Sequence, residues 1–201
     1  MSKTRIVLAS GNQGKIKEFQ HVLAQAEIEL VSQASLNVEE AEETGLSFVE
    51  NAILKARNAA RATGLPSIAD DSGLEVDALK GAPGIYSSRY SGASATDLDN
   101  NGYLLKQLEN VDEARRTARF RCVIVAMRHA LDPMPQIFQG SWEGRILFEA
   151  RGENGFGYDP LFYIPDLQCS AAELDSETKN RISHRGQALA QFKEALPLLT
   201  F

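Results

Sequence analysis

Two adjacent carboxylates, Asp70 and Asp71, stand in the stretch PSIADDSG directly behind the apolar pair Ile68 and Ala69. Paired carboxylates at the end of a buried strand are costly unless they are hydrogen-bonded or neutralised by a cation. Hard oxygen donors, with no clustered Cys or His, suit magnesium, which is usually held by one or two carboxylates plus substrate phosphates. A turn capped by aspartate is the other reading, and DDSG alone does not separate the two. Upstream, VEEAEETG gathers Glu39, Glu40, Glu42 and Glu43. This run reads either as a solvated acidic loop or as the source of one metal ligand.

The complementary chemistry is anion binding. SGNQGK occupies residues 10–15, behind the apolar run Ile6–Ala9 and ahead of apolar residues at helical spacing. A glycine turn between strand and helix presents backbone N–H groups at a helix N-terminus, where donors and dipole favour an anion. It is not a Walker loop: Gly11 and Gly14 enclose two residues, and Ile16, not a hydroxyl residue, follows Lys15. A plain turn with a solvated lysine remains open. Near the other end of the chain, GENGFGYDP brings three glycines and two aromatics together at residues 152–160. The glycines permit close backbone approach, and Phe156 or Tyr158 could offer a face to a base, although core packing is the alternative. TKNRISHRGQAL then supplies Lys179, Arg181, His184 and Arg185 at the start of the final helix. Cations there oppose the dipole unless an anion or acceptor lies nearby.

The elements that must carry these residues follow from apolar periodicity. The pattern predicts strands over 4–9, 28–32, 66–70, 74–77, 117–130, 136–148 and 161–164. It predicts helices over 14–26, 47–63, 95–109 and 185–199. Ile16, Phe19, Val22, Leu23 and Ala26 form the apolar stripe of the first helix. Ser47 with Glu50 opens the second as a capping box, and Gly64 with Pro66 closes it. Alternating strands and helices followed by two long adjacent strands imply an α/β protein with a mixed sheet.

Bulk properties narrow the function. The 201 residues suffice for one large domain or two lobes. A net charge of -6 argues against a nucleic-acid backbone as partner but leaves a free nucleotide open. Cys122 and Cys169 make no disulfide framework and no metal spacing, so a reducing cytoplasm is expected. The opening MSKTRIVLAS is too short an apolar run for a signal peptide, and no stretch is long enough to span a bilayer.

Taken together, SGNQGK, AEETG with FVENAILKA, ADDSGLEV, GAPGIYSSRYSG, NGFGYDP and SHRGQAL resemble the inosine triphosphate pyrophosphatase family over essentially the whole chain. Asn154 departs from that pattern, where many relatives carry glycine, and the departure is expected to alter only the loop. The resemblance implies a single domain over 1–201: an elongated mixed-sheet α/β fold with two lobes around a central substrate cleft. It implies hydrolysis of ITP, dITP and XTP to monophosphate and pyrophosphate with magnesium, by a cytoplasmic homodimer with no nucleic-acid or membrane partner. Residue by residue, it implies that Ser10, Gly11, Asn12, Gln13, Gly14 and Lys15 hold the triphosphate, with Lys55 as a further phosphate ligand. Glu42 and Asp71 fall at the magnesium site, and Asp71 is also the implied general base. Ser72 contacts substrate, and Phe156, Gly157, Tyr158, Asp159, Lys179, His184 and Arg185 match nucleoside-binding positions. A Maf-like pyrophosphatase would lack the FGYD and SHR pair, and a non-hydrolysing nucleotide sensor would lack the acids; this chain has both.

Overall fold

The computed structural model describes residues 4–23 and 28–199. Seven strands hydrogen-bond in the order β2-β1-β3-β4-β5-β6-β7. They are β1 (Thr4–Leu8), β2 (Ile28–Ser32), β3 (Ser67–Val76), β4 (Thr117–Met127), β5 (Gln136–Ile146), β6 (Phe162–Ile164) and β7 (Cys169–Ser170). The helices are α1 (Gln13–Leu23), α2 (Phe48–Thr63), α3 (Asp97–Gln107), α4 (Ser176–Ile182) and α5 (His184–Ala195). β1 runs parallel to β2 and β3, whereas β6 is antiparallel to β5 and β7, so the sheet is mixed as expected.

The chain divides into two compact units. One takes the described residues through Asp71, Cys122–Gln139 and those from Gln187 onward; the other takes Ser72–Arg121 and Gly140–Gly186. In the first, β1 is buried on both faces over Ile6, Val7 and Leu8, which is why these three residues are all apolar. Ile6 and Leu8 pack with Phe19, Ile68, Ile124 and Phe192, while Val7 packs with Ala52, Ala56, Ala59, Val125 and Met127. In the second, Leu74, Leu104, Phe120, Tyr158 and Phe162 form the core.

Local chemistry explains the helix ends. Asn12 precedes α1, and its side-chain oxygen accepts the Lys15 N–H at 3.1 Å. Ser47 caps α2 by accepting from Glu50 N, and Gly64 ends it in the left-handed conformation at φ 69° with its N–H on Ala60 O. Ala26, which closes the stripe expected of α1, lies outside the described residues, as does the side chain of Val22.

Three expectations are corrected. DDSG is neither a turn nor the end of a strand: β3 runs through it without a break from Ser67 to Val76. Carboxylates seldom sit inside a strand, but here each is neutralised by a lysine from another element. The basic run TKNRISHR does not simply lead into one helix either. Lys179 and Arg181 ride on the separate helix α4, capped by Asp175 and ended by Ser183. The last helix ends at Ala195 instead of 199, where Pro197 gives way to a tight 3-10 turn.

Candidate functional site

In the first unit, β3 carries both aspartates into a pair of lysines. Lys15 Nζ, from the first turn of α1, lies 2.9 Å from Asp70 Oδ2. Lys55 Nζ, from α2, donates to Asp71 Oδ1 at 2.9 Å and to Glu43 Oε1 at 3.0 Å. Asp71 is buried, and its Oδ2 has no hydrogen-bond partner among the described residues. Burial pushes the Asp71 carboxyl above its ordinary value, against the opposing pull of Lys55. Burial acting on Lys55 would lower it, but the negative charges of Asp71, Asp70 and Glu43 hold it above the usual lysine value.

A polar stripe on α2 sets the acidic loop. Asn51, Lys55 and Asn58 recur at i, i+4 and i+7, hence on one helix face. Asn51 Oδ1 accepts the Gly45 N–H at 2.8 Å, and Asn58 Nδ2 donates to Glu39 O at 2.8 Å. Between these two anchors Lys55 takes Glu43. Glu42, the expected metal ligand, is exposed. Glu43 and Asn51 are thus site-forming residues that sequence reasoning missed; the polar i, i+4, i+7 stripe was the available signal.

The SGNQGK turn has the expected strand–turn–helix form. The Asn12 side chain is engaged as the cap of α1, and Asn12 N donates to Ser10 Oγ at 3.2 Å. The first N–H groups of any helix have no partner within it, so Gln13 and Gly14 contribute backbone donors. The Gln13 side chain lies outside what is described.

In the second unit, Ser72 Oγ accepts from Arg185 Nη2 at 3.0 Å, and Arg185 is buried. The loop at 155–159 folds about Asp159, whose Oδ2 accepts the Phe156 N–H at 2.8 Å and pairs with the Lys179 ammonium. Gly155 is required there: at φ +79° a Cβ would stand 2.1 Å from Asp159 Oδ2. Phe156 is 39% exposed. Its ring centroid lies 5.0 Å from Lys179 Nζ and 5.7 Å from Arg185 Cζ. Tyr158 is buried in the core, and its hydroxyl donates to Ser87 O at 2.8 Å. His184 is buried with its ring stacked on Phe120, centroids 4.8 Å apart. The Asn154 side-chain amide donates to Leu174 O at 3.2 Å, tying the loop to the segment ahead of α4.

The chain is similar to known proteins along nearly its whole length. The Ham1 family model covers residues 6–195. The chain belongs to the Ham1 family. Among curated members, it is 61% identical over 192 residues to the dITP/XTP pyrophosphatase of Thioalkalivibrio sulfidiphilus, covering 96% of this chain and 98% of that one. It is 59% identical over 185 residues to the dITP/XTP pyrophosphatase of Vibrio parahaemolyticus, covering 92% of each. A Ham1 structure from Coxiella burnetii superposes with a TM-score of 0.93 at 52% identity, covering 98% of this chain and 100% of that one. The Staphylococcus aureus Ham1 protein gives 0.87 at 42% identity, covering 96% and 98%. Residues 6–195 include the stretches that build the ion pairs and the Phe156 loop described above.

Oxygen chemistry limits what cation could bind. Among the described residues no three His, Cys, Asp or Glu side chains converge as a metal cage. The buried Asp71 Oδ2, unbonded among the described residues, is a single hard donor. That donor set fits magnesium completed by substrate phosphates and does not fit a zinc site. No described helix is long and apolar enough to cross a membrane.

Proposed function

We propose that this protein hydrolyses deaminated purine nucleoside triphosphates, ITP, dITP and XTP, to the monophosphate and pyrophosphate. The observation that carries the reading is Asp71, a buried carboxylate with one oxygen on Lys55 and the other without a partner among the described residues. The names of the curated relatives supply the substrate class.

The N–H groups at the start of α1, with Lys15 and Lys55, take the phosphates. Asp71, helped by Glu42 or its neighbour Glu43, would hold magnesium. When bound, that ion neutralises charge on the phosphates and on the departing pyrophosphate. Water adds to the α-phosphorus, the bond from that phosphorus to the bridging oxygen breaks, and the water proton passes to Asp71. Lys55 stays beside the carboxylate and shares the charge developing on the phosphates. Phe156 stacks on the base, while Arg185, His184 and backbone donors meet its oxygen. A homodimer in a reducing cytoplasm belongs to the same reading; it rests on the family resemblance and the lack of a disulfide framework.

Incubation of the protein with ITP and magnesium, followed by phosphorus NMR, tests the reaction. IMP with pyrophosphate is expected. IDP with orthophosphate would place the attack on the γ-phosphorus and overturn the proposal.

A further inference from the structure

Helix α3 grips the Phe156 loop through both peptide groups of one residue. Asp97 Oδ2 accepts the Gly157 N–H at 2.7 Å, and Asn101 Nδ2 donates to Gly157 O at 2.9 Å. Asp97 and Asn101 are four apart and so share a helix face. The Gly157 N–H belongs to the peptide linking it to Phe156, and its carbonyl to the peptide linking it to Tyr158. Fixing both groups fixes the two backbone torsions of Gly157, which sits at φ +62°, where glycine is favoured. With those torsions set, Phe156 and Tyr158 cannot turn independently.

The neighbouring residue of α3 does the same for a second segment. Asn100 is buried. Its Oδ1 accepts from Ser91 N at 2.9 Å, and its Nδ2 donates to Ser88 O at 3.2 Å. Ser87 of the same segment accepts the Tyr158 hydroxyl through its carbonyl, and its own hydroxyl oxygen accepts the Leu74 N–H at 2.9 Å. The GAPGIYSSRYSG stretch therefore braces Tyr158 from one side while Asp97 and Asn101 hold Gly157 from the other. The capping box of Thr96 and Asp99 fixes the start of α3, where Asp97 lies.

We propose that Asp97 and Asn101 are positioning residues that hold Phe156 in its base-receiving orientation by clamping the two peptide groups of Gly157. The inference rests on the reading of Phe156 as the residue that stacks on the base.

Asp97→Ala, Asp97→Asn and Asn101→Ala, each compared with the unmodified protein, provide the test. Asp97→Ala and Asn101→Ala should raise the KM for ITP by about tenfold, the scale of one hydrogen bond to a charged or buried partner, with kcat little changed. Asp97→Asn keeps an oxygen that can accept the Gly157 N–H and should restore most of the loss. Hydrogen exchange over residues 152–160, measured without nucleotide, should quicken in the two alanine variants and not in Asp97→Asn. Unchanged KM in both alanine variants would overturn the proposal. So would a fall in thermal stability with no change in KM, since that marks a merely structural contact. If the unmodified protein did not turn over ITP, the reading of the activity would fail, and the exchange measurement would still decide whether the clamp exists.

Discussion

Lys15 Nζ and Asp70 Oδ2 stand 2.9 Å apart, and the Asp70 side chain is fully buried. Its neighbour Asp71 lies the same 2.9 Å from Lys55 Nζ but keeps its side chain 10% exposed. Asp70 Oδ2 pairs with Lys15 and Asp71 Oδ1 pairs with Lys55, one lysine to each carboxylate, so what separates the two is burial. On the proposed reading the water-facing role goes to Asp71, the more exposed of the two. Asp71→Asn keeps the shape and removes the charge, so kcat should drop by about 10²-fold or more with the fold retained. Asp70→Asn should act on stability instead, by roughly 3 kcal/mol, because it leaves a largely buried lysine without its counter-charge. Urea denaturation with steady-state kinetics on both variants separates the two. Near-normal kcat in Asp71→Asn would move the base to Asp70.

The same pair sets the expectation for Lys15. An ammonium at the start of α1 meets phosphate, not base, so Lys15→Ala should weaken ITP and XTP to the same degree. It also strands the buried Asp70, so the variant should lose stability, and adding Asp70→Asn should recover it without recovering affinity. An effect on one base alone would contradict the phosphate role.

The proposed magnesium ligands are all oxygen donors, and this sets the expected metal response. Chelation should abolish turnover, magnesium should restore it, and calcium should bind while supporting little turnover because its coordination is looser. The melting temperature without nucleotide should change little on chelation, since Lys15 and Lys55 already neutralise Asp70 and Asp71. Full activity in excess chelator would sink this part of the proposal.

A stability prediction concerns the first unit away from the site. Asp132 is buried and accepts from the Arg128 guanidinium at 2.6 Å, Arg128 N at 3.0 Å and Met134 N at 3.0 Å. The Arg128 guanidinium, ahead of those backbone donors, holds its carboxyl well below the usual carboxylate range. A carboxyl depressed in the folded state stabilises the fold above its unfolded value, near pH 4, and loses that contribution as pH falls further toward its folded value. Asp132→Ala should therefore cost about 2 kcal/mol at pH 7 and progressively less below about pH 4. Chemical denaturation of both proteins at pH 7 and pH 3 measures this; a cost that does not shrink in acid would exclude the charged network as its cause.

How far the sequence carried depends on the range of each interaction. The ends of α2 were legible because Ser47 and Gly64 act on their own helix. The continuity of β3 was not, because carboxylates inside a strand are tolerated only once Lys15 and Lys55 arrive from separate helices. The motif residues pair across the sequence, Lys55 with Asp71, Ser72 with Arg185 and Lys179 with Asp159, and none of these pairings could be read from spacing. Which glutamate of VEEAEETG turns inward was not legible, since Asn51 and Asn58 settle it by pinning the loop. The hold of α3 on Gly157 joins residues 56 and 60 positions apart, and no local pattern announces it.

The hardest demand on this chemistry is rejection of the common nucleotides. Hypoxanthine and xanthine carry an oxygen at position 6, an acceptor, where adenine carries an amino donor. Arg185 is buried with Nη2 on Ser72 Oγ and its guanidinium beside the exposed Phe156 ring, so donors and stacking surface lie in one place. An adenine set against those donors leaves groups unpaired at about 1–3 kcal/mol each, and such sites can reject the wrong base by roughly 10⁴-fold. Guanine keeps the oxygen, so its 2-amino group must be refused separately, by a wall or an unmet donor. Phe156 adds affinity by stacking on any purine and cannot rank them. ITP and XTP should accordingly exceed ATP and GTP in kcat/KM by at least about a hundredfold. Arg185→Ala should shrink the preference over ATP, and because it frees Ser72 its effect should exceed that of Ser72→Ala. Phe156→Ala should lower all purines alike. Competition kinetics with paired substrates measure each ratio directly; equal turnover of GTP and ITP by the unmodified protein would overturn the proposed selectivity, even with the phosphate chemistry intact.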